Sequence, residues 1–164
     1  MVSLDMLGRL PYSCCMNVRL SDYRLCDLAE GQSFSFLVCV ETKDIDRFAE
    51  LSGDISQLHM DPLFAESRGF RDRVAHGALL MAYVSRMVGV HFPGTNSLLQ
   101  TMNVKFLKPV YANDTIRVRA VVKQTSPATN VAVLNFFLEN PESGDIHARG
   151  TVQVGFTREA SDNA

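Results

Sequence analysis

Residues 53–90 read GDISQLHMDPLFAESRGFRDRVAHGALLMAYVSRMVGV, and the last part of this stretch decides the fold. From Ala78 to Val90 apolar side chains dominate, which predicts a helix with apolar groups around most of its circumference. We expect such a helix to be buried on nearly all sides, with the other elements packed around it. Pro93-Gly94 ends the helical region.

Strand patterns lie on both sides of this helix. Before it, Phe34, Phe36 and Val38 recur at every second position, which predicts a strand over 33–41. After it, segments rich in Val, Phe, Thr and Ile are separated by turn residues and predict four more strands, at 98–107, 115–124, 130–139 and 146–156. This order predicts an α+β fold with an antiparallel sheet wrapped around one long helix, the hotdog arrangement.

Two shorter helices are predicted between the first strand and the long helix. One covers 43–51, with Thr42 as its N-cap and Gly53 as a residue suited to a left-handed helix end. The other covers 62–67 and begins with a proline, which fits the first helical position. Asp54 therefore follows directly after a helix end, where functional residues are often presented.

The length of 164 residues fits one domain with a sizeable core. We assign 17–164 to this domain and 1–16 to a flexible N-terminal arm, because the organised pattern begins after Met16. Met16 is also an alternative translation start. The first fifteen residues lack the sustained apolar region of a secretory signal.

Composition narrows the class of partner. The net charge of −2 gives no reason to expect nucleic-acid binding, and no apolar run approaches the roughly 20 residues that span a bilayer. No pair of cysteines has Cys-x-x-Cys spacing, which favours free thiols and a reducing, cytoplasmic location. The cysteines are Cys14, Cys15, Cys26 and Cys39.

Asp54 and His59, five residues apart, are the candidate catalytic pair. Alone, Asp54 would be a turn residue and His59 a surface or structural histidine. Together in one short loop, a carboxylate and an imidazole can hold a water, remove its proton and deliver a proton to the adjacent carbon. Positioned acid–base groups contribute about 100- to 10,000-fold each. This chemistry is that of a hydratase or dehydratase.

Hydration β to a carbonyl also requires that the carbonyl oxygen be polarised. Gly77 begins the long helix, where amide N–H groups have no intrahelical partner, and it can also be read simply as a packing glycine. His76 is interpreted as a positioning residue. Ser85 either bonds back to a backbone carbonyl of its own helix or orients Asp54.

Basic residues on the strands are candidates for contacts with the phosphates of a coenzyme A handle, or are simply solvated. They are Lys105, Lys108, Arg117 and Arg119. No glycine-rich phosphate loop or nucleophile elbow is present in the sequence. No metal site is predicted, because His59, Asp61 and His76 lack a recognised ligand spacing, and Asp61 is interpreted as a helix cap.

These motifs resemble the MaoC-like (R)-specific enoyl-CoA hydratases, over residues 33–156. The resemblance is carried by F-x-x-L-S-G-D-x-x-x-x-H-x-D-P-x-F-A at 48–65, the His-Gly pair at 76–77 and K-F-x-x-P-V at 105–110. It implies a hotdog fold, an Asp54/His59 dyad and carbonyl polarisation by Gly77. It also implies support of the dyad by Ser85.

The resemblance further implies syn hydration of a trans-2-enoyl thioester to the (R)-3-hydroxyacyl product. It implies coenzyme A as part of the substrate, no separate cofactor, and a homodimer or dimer of dimers with sheets joined edge to edge. One departure concerns the dyad loop, where the family commonly has Asn-Pro and this chain has Ser56-Gln57. Ser56 is expected to replace part of the lost bracing.

Two alternatives remain at this stage. A hotdog acyl-CoA thioesterase would usually place its carboxylate on or beside the central helix, yet 77–90 contains no Asp or Glu. A non-catalytic acyl-thioester-binding subunit would fit the altered loop, but it has no evident need for both Asp54 and His59.

Overall fold

The computed structural model describes residues 19–157. The predicted arm at 1–16, including Met16, lies outside the described residues. The strands are β1 (Ser33–Cys39), β2 (Ser97–Phe106), β3 (Thr115–Ser126), β4 (Val131–Glu139) and β5 (Ile146–Phe156). The helices are α1 (Thr42–Ser52), α2 (Gln57–Met60), α3 (Pro62–Ser67) and α4 (Gly77–Arg86), with a 3-10 turn at Leu25–Asp27 and a π-helical turn at Met87–His91.

The five strands form one antiparallel sheet in the order β1-β3-β4-β5-β2. All five predicted strands are confirmed, with each end within two residues of the prediction. Every second side chain of β3 and β4 is buried against the helix layer, which favours the β-branched and aromatic residues that predicted these strands. The α+β hotdog prediction is therefore confirmed.

The long helix packs on the sheet through one face. Its buried side chains include Leu80, Val84 and, in the following π-helical turn, Met87, and they belong to the same core cluster as Leu134 and Phe136 of β4. The expectation that this helix is buried on nearly all sides is wrong. Ala78, Ala82 and Ser85 are exposed, because the sheet covers only one face of α4 in this chain.

The helix boundaries follow local chemistry. The chain turns sharply after α1 because Gly53 adopts a left-handed conformation with φ of 75°. Thr42 is the first helical residue rather than the cap, which is Glu41. The predicted cap of α3 is confirmed, since the Asp61 carboxylate accepts hydrogen bonds from the N–H groups of Leu63 and Phe64.

The helix α2 was not predicted. Its four residues are too few to show a hydrophobic period, so the sequence predicts a loop there. The Ser56 carbonyl accepts hydrogen bonds from the N–H groups of His59 and Met60, which closes the turn. No helix in the described part of the chain has the length and apolar character needed to cross a bilayer.

Candidate active site

Asp54 is held at the end of α1 by local hydrogen bonds. Its N–H donates to Ser52 Oγ at 3.1 Å, and the Ser52 hydroxyl donates to the Phe48 carbonyl at 2.7 Å. Its own Oδ1 accepts a hydrogen bond from the Ser56 N–H at 3.3 Å. Ser56 thus braces the loop with its backbone rather than with its side chain, which makes no capping bond.

His59 enters the site from α2, and its protonation pattern follows from one contact. Its Nδ1 lies 2.7 Å from the carbonyl oxygen of Val74. Because a carbonyl oxygen only accepts, Nδ1 carries the hydrogen, and the neutral ring keeps its lone pair on Nε2. The half-buried imidazole therefore has its basic nitrogen available for another partner.

His76 packs beneath this pair and is 1% exposed. Its Nε2 lies 2.9 Å from the backbone carbonyl of Asp54, so the ring donates to the residue that carries the carboxylate. Its ring centroid is 3.9 Å from that of His59 and 4.9 Å from that of Phe48. These contacts support the interpretation of His76 as a positioning residue.

The side chains of Asp54, His59 and His76 lie close together. One ligand atom from each of Asp54, His59 and His76 lies within 4.8 Å of the others. At this distance one water molecule can contact both the Asp54 carboxylate and the His59 imidazole. The same donor types also bind divalent metals such as zinc, so this group could hold a cation. Asp61, considered in the sequence beside the two histidines, caps α3 instead.

A cavity of about 360 Å³ opens beside His59 at the amino end of α4. Gly77 lines it, and so do the apolar side chains of Phe70, Leu80 and Val110. The Phe106 ring lies directly against Gly77, since a Cβ placed on Gly77 would be 2.9 Å from the ring carbon Cζ. The phenyl ring therefore forms the wall of the cavity opposite the first turn of α4.

If Gly77 polarises a thioester carbonyl, as the resemblance implies, Gly77→Ala is expected to lower kcat/KM for hydration by about 10- to 100-fold, because the new methyl group narrows the space in which the carbonyl would meet the helix end. Phe106 is 49% exposed and its ring can move aside, so the free energy of unfolding should fall by no more than about 1 kcal/mol. Steady-state kinetics and thermal unfolding check both expectations. An unchanged kcat/KM would show that the substrate carbonyl does not approach Gly77.

The structure does not bring Ser85 to the site. Its side chain is on the exposed face of α4, and it bonds neither to Asp54 nor to a backbone carbonyl of its own helix. Both hydrogen bonds considered for it are therefore wrong, because Ser85 lies on the face that the sheet leaves open.

The basic candidates lie at different distances from the cavity. Lys108 lines it, but its ammonium pairs with Asp145 at 2.8 Å, and this hydrogen bond lowers the pKa of Asp145. Lys105 lines a separate depression formed by β2, β4 and β5. Arg119 is paired with Glu139. Of these residues, Lys108 is placed best to meet a ligand that enters the cavity.

Several residues of the site carry little or no signal in the sequence. The Val74 contribution is a backbone carbonyl, which has no sequence signal. Arg73 bonds to the backbone of His59, but the sequence does not indicate this, because a single arginine between two helices is typical of an ordinary surface residue. Phe106 could have been found, because it belongs to the K-F-x-x-P-V element at 105–110.

The fold and site together define a hotdog-fold domain with a carboxylate and two imidazoles at the amino end of its central helix. The chain belongs to the MaoC like domain family, whose match covers residues 28–135.

Individual relatives agree with this assignment. The chain is 33% identical over 101 residues to the (R)-specific enoyl-CoA hydratase of Rhodospirillum rubrum, covering 62% of this chain and 70% of the relative. The unliganded R-hydratase PhaJ1 of Pseudomonas aeruginosa superposes with a TM-score of 0.79 at 24% identity, covering 85% of this chain and 89% of that one. The (R)-hydratase of A. caviae superposes with a TM-score of 0.75 at 26% identity, covering 79% and 97%.

Proposed function

We propose that this protein is a hydro-lyase that reversibly hydrates trans-2-enoyl-CoA, or a related acyl thioester, to the (R)-3-hydroxyacyl thioester. The observation that carries the proposal is the closeness of Asp54 to His59, the imidazole that lines the cavity at the amino end of α4. The R. rubrum relative is named for this activity, which supports the substrate class and the stereochemistry.

The tautomer of His59 supports a different role for each of His59 and Asp54. With Nδ1–H donated to Val74, the Nε2 lone pair is free to take a proton from water as the oxygen bonds to the β carbon. The Asp54 carboxylate accepts the hydrogen bond from the water's other hydrogen and orients it. The pair then delivers one proton to the α carbon. One proton enters the pair and one leaves it, so both groups return to their starting states.

Negative charge develops on the thioester oxygen during this addition. The first turn of α4 offers backbone N–H groups without intrahelical partners, and Gly77 lines the cavity without a side chain. One such donor is worth about 3 to 4 kcal/mol of transition-state stabilisation. Gly77 N–H is therefore the proposed partner of the carbonyl oxygen.

The coenzyme A portion of the substrate needs contacts outside the cavity. Lys108, at its lining, and Lys105 are proposed to meet coenzyme A phosphates, with the Lys108–Asp145 pair opening to release the ammonium. Coenzyme A enters as part of the substrate, and no separate cofactor or metal is proposed.

A second copy of the chain is proposed to pair with β2. This strand forms one edge of the sheet and exposes Leu98, Val104 and Phe106. An uncovered edge strand with apolar side chains favours pairing with another chain. The expected assembly is a homodimer or a dimer of dimers, which sedimentation or light scattering would measure.

The proposed location is the cytoplasm. Cys26 and Cys39 are both free and exposed, as thiols are in a reducing compartment.

Crotonyl-CoA provides the test of the reaction. Hydration removes the conjugated absorbance of the enoyl thioester, and we expect this loss without release of free thiol. Thiol release without hydration would instead indicate the thioesterase, although α4 carries no carboxylate among its residues Gly77–Arg86. Neither signal over several acyl chain lengths would indicate a binding subunit.

Metal removal tests whether the reacting water is held by protein groups alone or by a metal ion bound to Asp54, His59 and His76. Protein treated with a strong chelator and then freed of it should retain its hydration rate, because the proposed chemistry uses only protein groups. Matched protein supplied with Zn²⁺ serves as the comparison. A rate that is lost with the chelator and restored by Zn²⁺ would contradict the proposed role of the water.

A further inference from the structure

We propose that Arg73 is a positioning residue that fixes His59 relative to Asp54; this inference rests on the proposed function. Its guanidinium reaches both helices that lead into the site, yet it touches neither the cavity nor the reacting atoms.

The guanidinium of Arg73 has partners on both helices. Its Nε–H donates to the backbone carbonyl of His59 in α2, and its Nη2 donates to the carboxylate of Asp46 in α1. The same Nη2 lies 3.7 Å from the sulfur of Met60. The Arg73 side chain is 12% exposed, so water competes little for these bonds.

Val74, the residue after Arg73, bonds to the imidazole ring of His59. The Val74 carbonyl accepts from the imidazole Nδ1–H, and the Val74 N–H donates to the Leu58 carbonyl at 3.1 Å. The Arg73 side chain thus hydrogen-bonds to the His59 backbone, and the Val74 backbone hydrogen-bonds to the His59 ring. Both the position and the orientation of His59 depend on this dipeptide.

The dipeptide is itself anchored to the rest of the fold. The Ala112 N–H donates to the Arg73 carbonyl at 3.3 Å, and Val74 pairs with Tyr111 in an isolated β-bridge. The segment that grips α2 is therefore fixed independently of α2. This matters because α2 has only four residues and no side-chain cap, and a helix that short does not hold its own geometry.

An arginine suits this position better than a lysine. The planar guanidinium presents Nε–H and Nη2–H in a fixed fork, so one side chain can serve two acceptors on different helices at a set spacing. Because α1 ends just before Asp54 and α2 carries His59, that fork sets the distance between the two groups. A lysine ammonium could bond well to one acceptor, but it could not fix the spacing between the two acceptors.

The test compares Arg73→Met, Arg73→Lys and Asp46→Asn with wild type, using crotonyl-CoA hydration and thermal unfolding. A misplacement of about 1 Å can cost about 100-fold, so we expect Arg73→Met to lower kcat by about 30- to 300-fold with a much smaller change in KM. Arg73→Lys should recover part of this loss. Asp46→Asn, which keeps Arg73 but removes its charged anchor, should show a smaller fall in kcat.

Arg71→Met is the matched control. Arg71 lies two residues away and is also ion-paired, but it bonds to the Asp114 carboxylate and contacts only the ring of Tyr111, so its loss leaves the backbone bridge between Val74 and Tyr111 in place. We expect its kcat to match that of wild type. Should Arg73→Met fail to fold, the kcat of Asp46→Asn decides the matter, because Asp46 is half-exposed and its loss leaves the core intact.

Folded Arg73→Met or Asp46→Asn protein with wild-type kcat would overturn the inference. So would a loss confined to KM, or one equal for Arg71→Met. Asp54→Asn measured beside them separates two failures. If Asp54→Asn loses activity while the Arg73 variants keep it, only the positioning role fails. If Asp54→Asn keeps wild-type activity, the proposed dyad fails, and the positioning role fails with it.

Discussion

Asp54→Asn and His59→Ala are each expected to lower kcat for crotonyl-CoA hydration by about 100- to 10,000-fold. Asparagine keeps the shape of Asp54 but lacks the charge that orients the water, whereas alanine removes the Nε2 lone pair of His59. Because the two groups act on one water, the double variant should lose little more than the worse single variant. The absorbance assay measures all three.

Structural effects must be separated from chemical ones. The carboxylate of Asp54 is exposed, so its replacement should leave thermal unfolding nearly unchanged. Glu50→Gln is the matched control, since it neutralises an exposed carboxylate on α1, the helix that precedes Asp54. A folded Asp54→Asn protein with wild-type kcat would contradict the dyad, whatever the result for His59.

Gly150→Ala is expected to have the largest effect on stability. A Cβ at this position would lie 1.9 Å from the backbone oxygen of Asn103 and 2.8 Å from the ring of Phe136. Neither neighbour can move cheaply, because Asn103 belongs to β2 beside β5 and Phe136 is fully buried. The free energy of unfolding should fall by at least about 3 kcal/mol, or about 6 to 12 °C in Tm for a chain of this size.

Gly89→Ala provides the comparison, because nothing lies within 4 Å of its Cβ position. We expect its stability to stay within about 1 kcal/mol of wild type. If Gly150→Ala were equally mild, the close approach of β2 and β5 would be wrong. The placement of Phe106 against Gly77 would then be wrong too, because the same register of β2 sets it.

Much of the fold could be predicted from the sequence because its signals are local. Alternating apolar residues located β1, composition and turn residues located the other four strands, and Gly53 and Pro62 marked the end of α1 and the start of α3. The helix α2 could not be predicted, because four residues are too few to show a hydrophobic period. The burial of α4 was overestimated because composition reports how apolar a helix is, but not how much of it a sheet covers.

The candidate site divides in the same way. The motif at 48–65 was enough to select Asp54 and His59, and the His-Gly pair selected His76 and Gly77. The sequence could not place Ser85, whose exposed position depends on how α4 rotates against the sheet. Nor could it show that Arg73 and Val74 bond to His59, because both hydrogen bonds are accepted by backbone carbonyls, which carry no signal in the sequence.

The sequence by itself determined which residue types were available for acid–base chemistry and roughly where each strand lies, because periodicity, turn residues and motif spacing act over a few neighbouring positions. Only the tertiary structure decided which of those groups meet. Asp54, His59 and His76 lie close together because α1, α2 and the segment that precedes α4 are packed together, and Phe106 reaches Gly77 only through the register of β2 in the sheet. Such meetings depend on contacts between segments far apart in the chain, which no local pattern records.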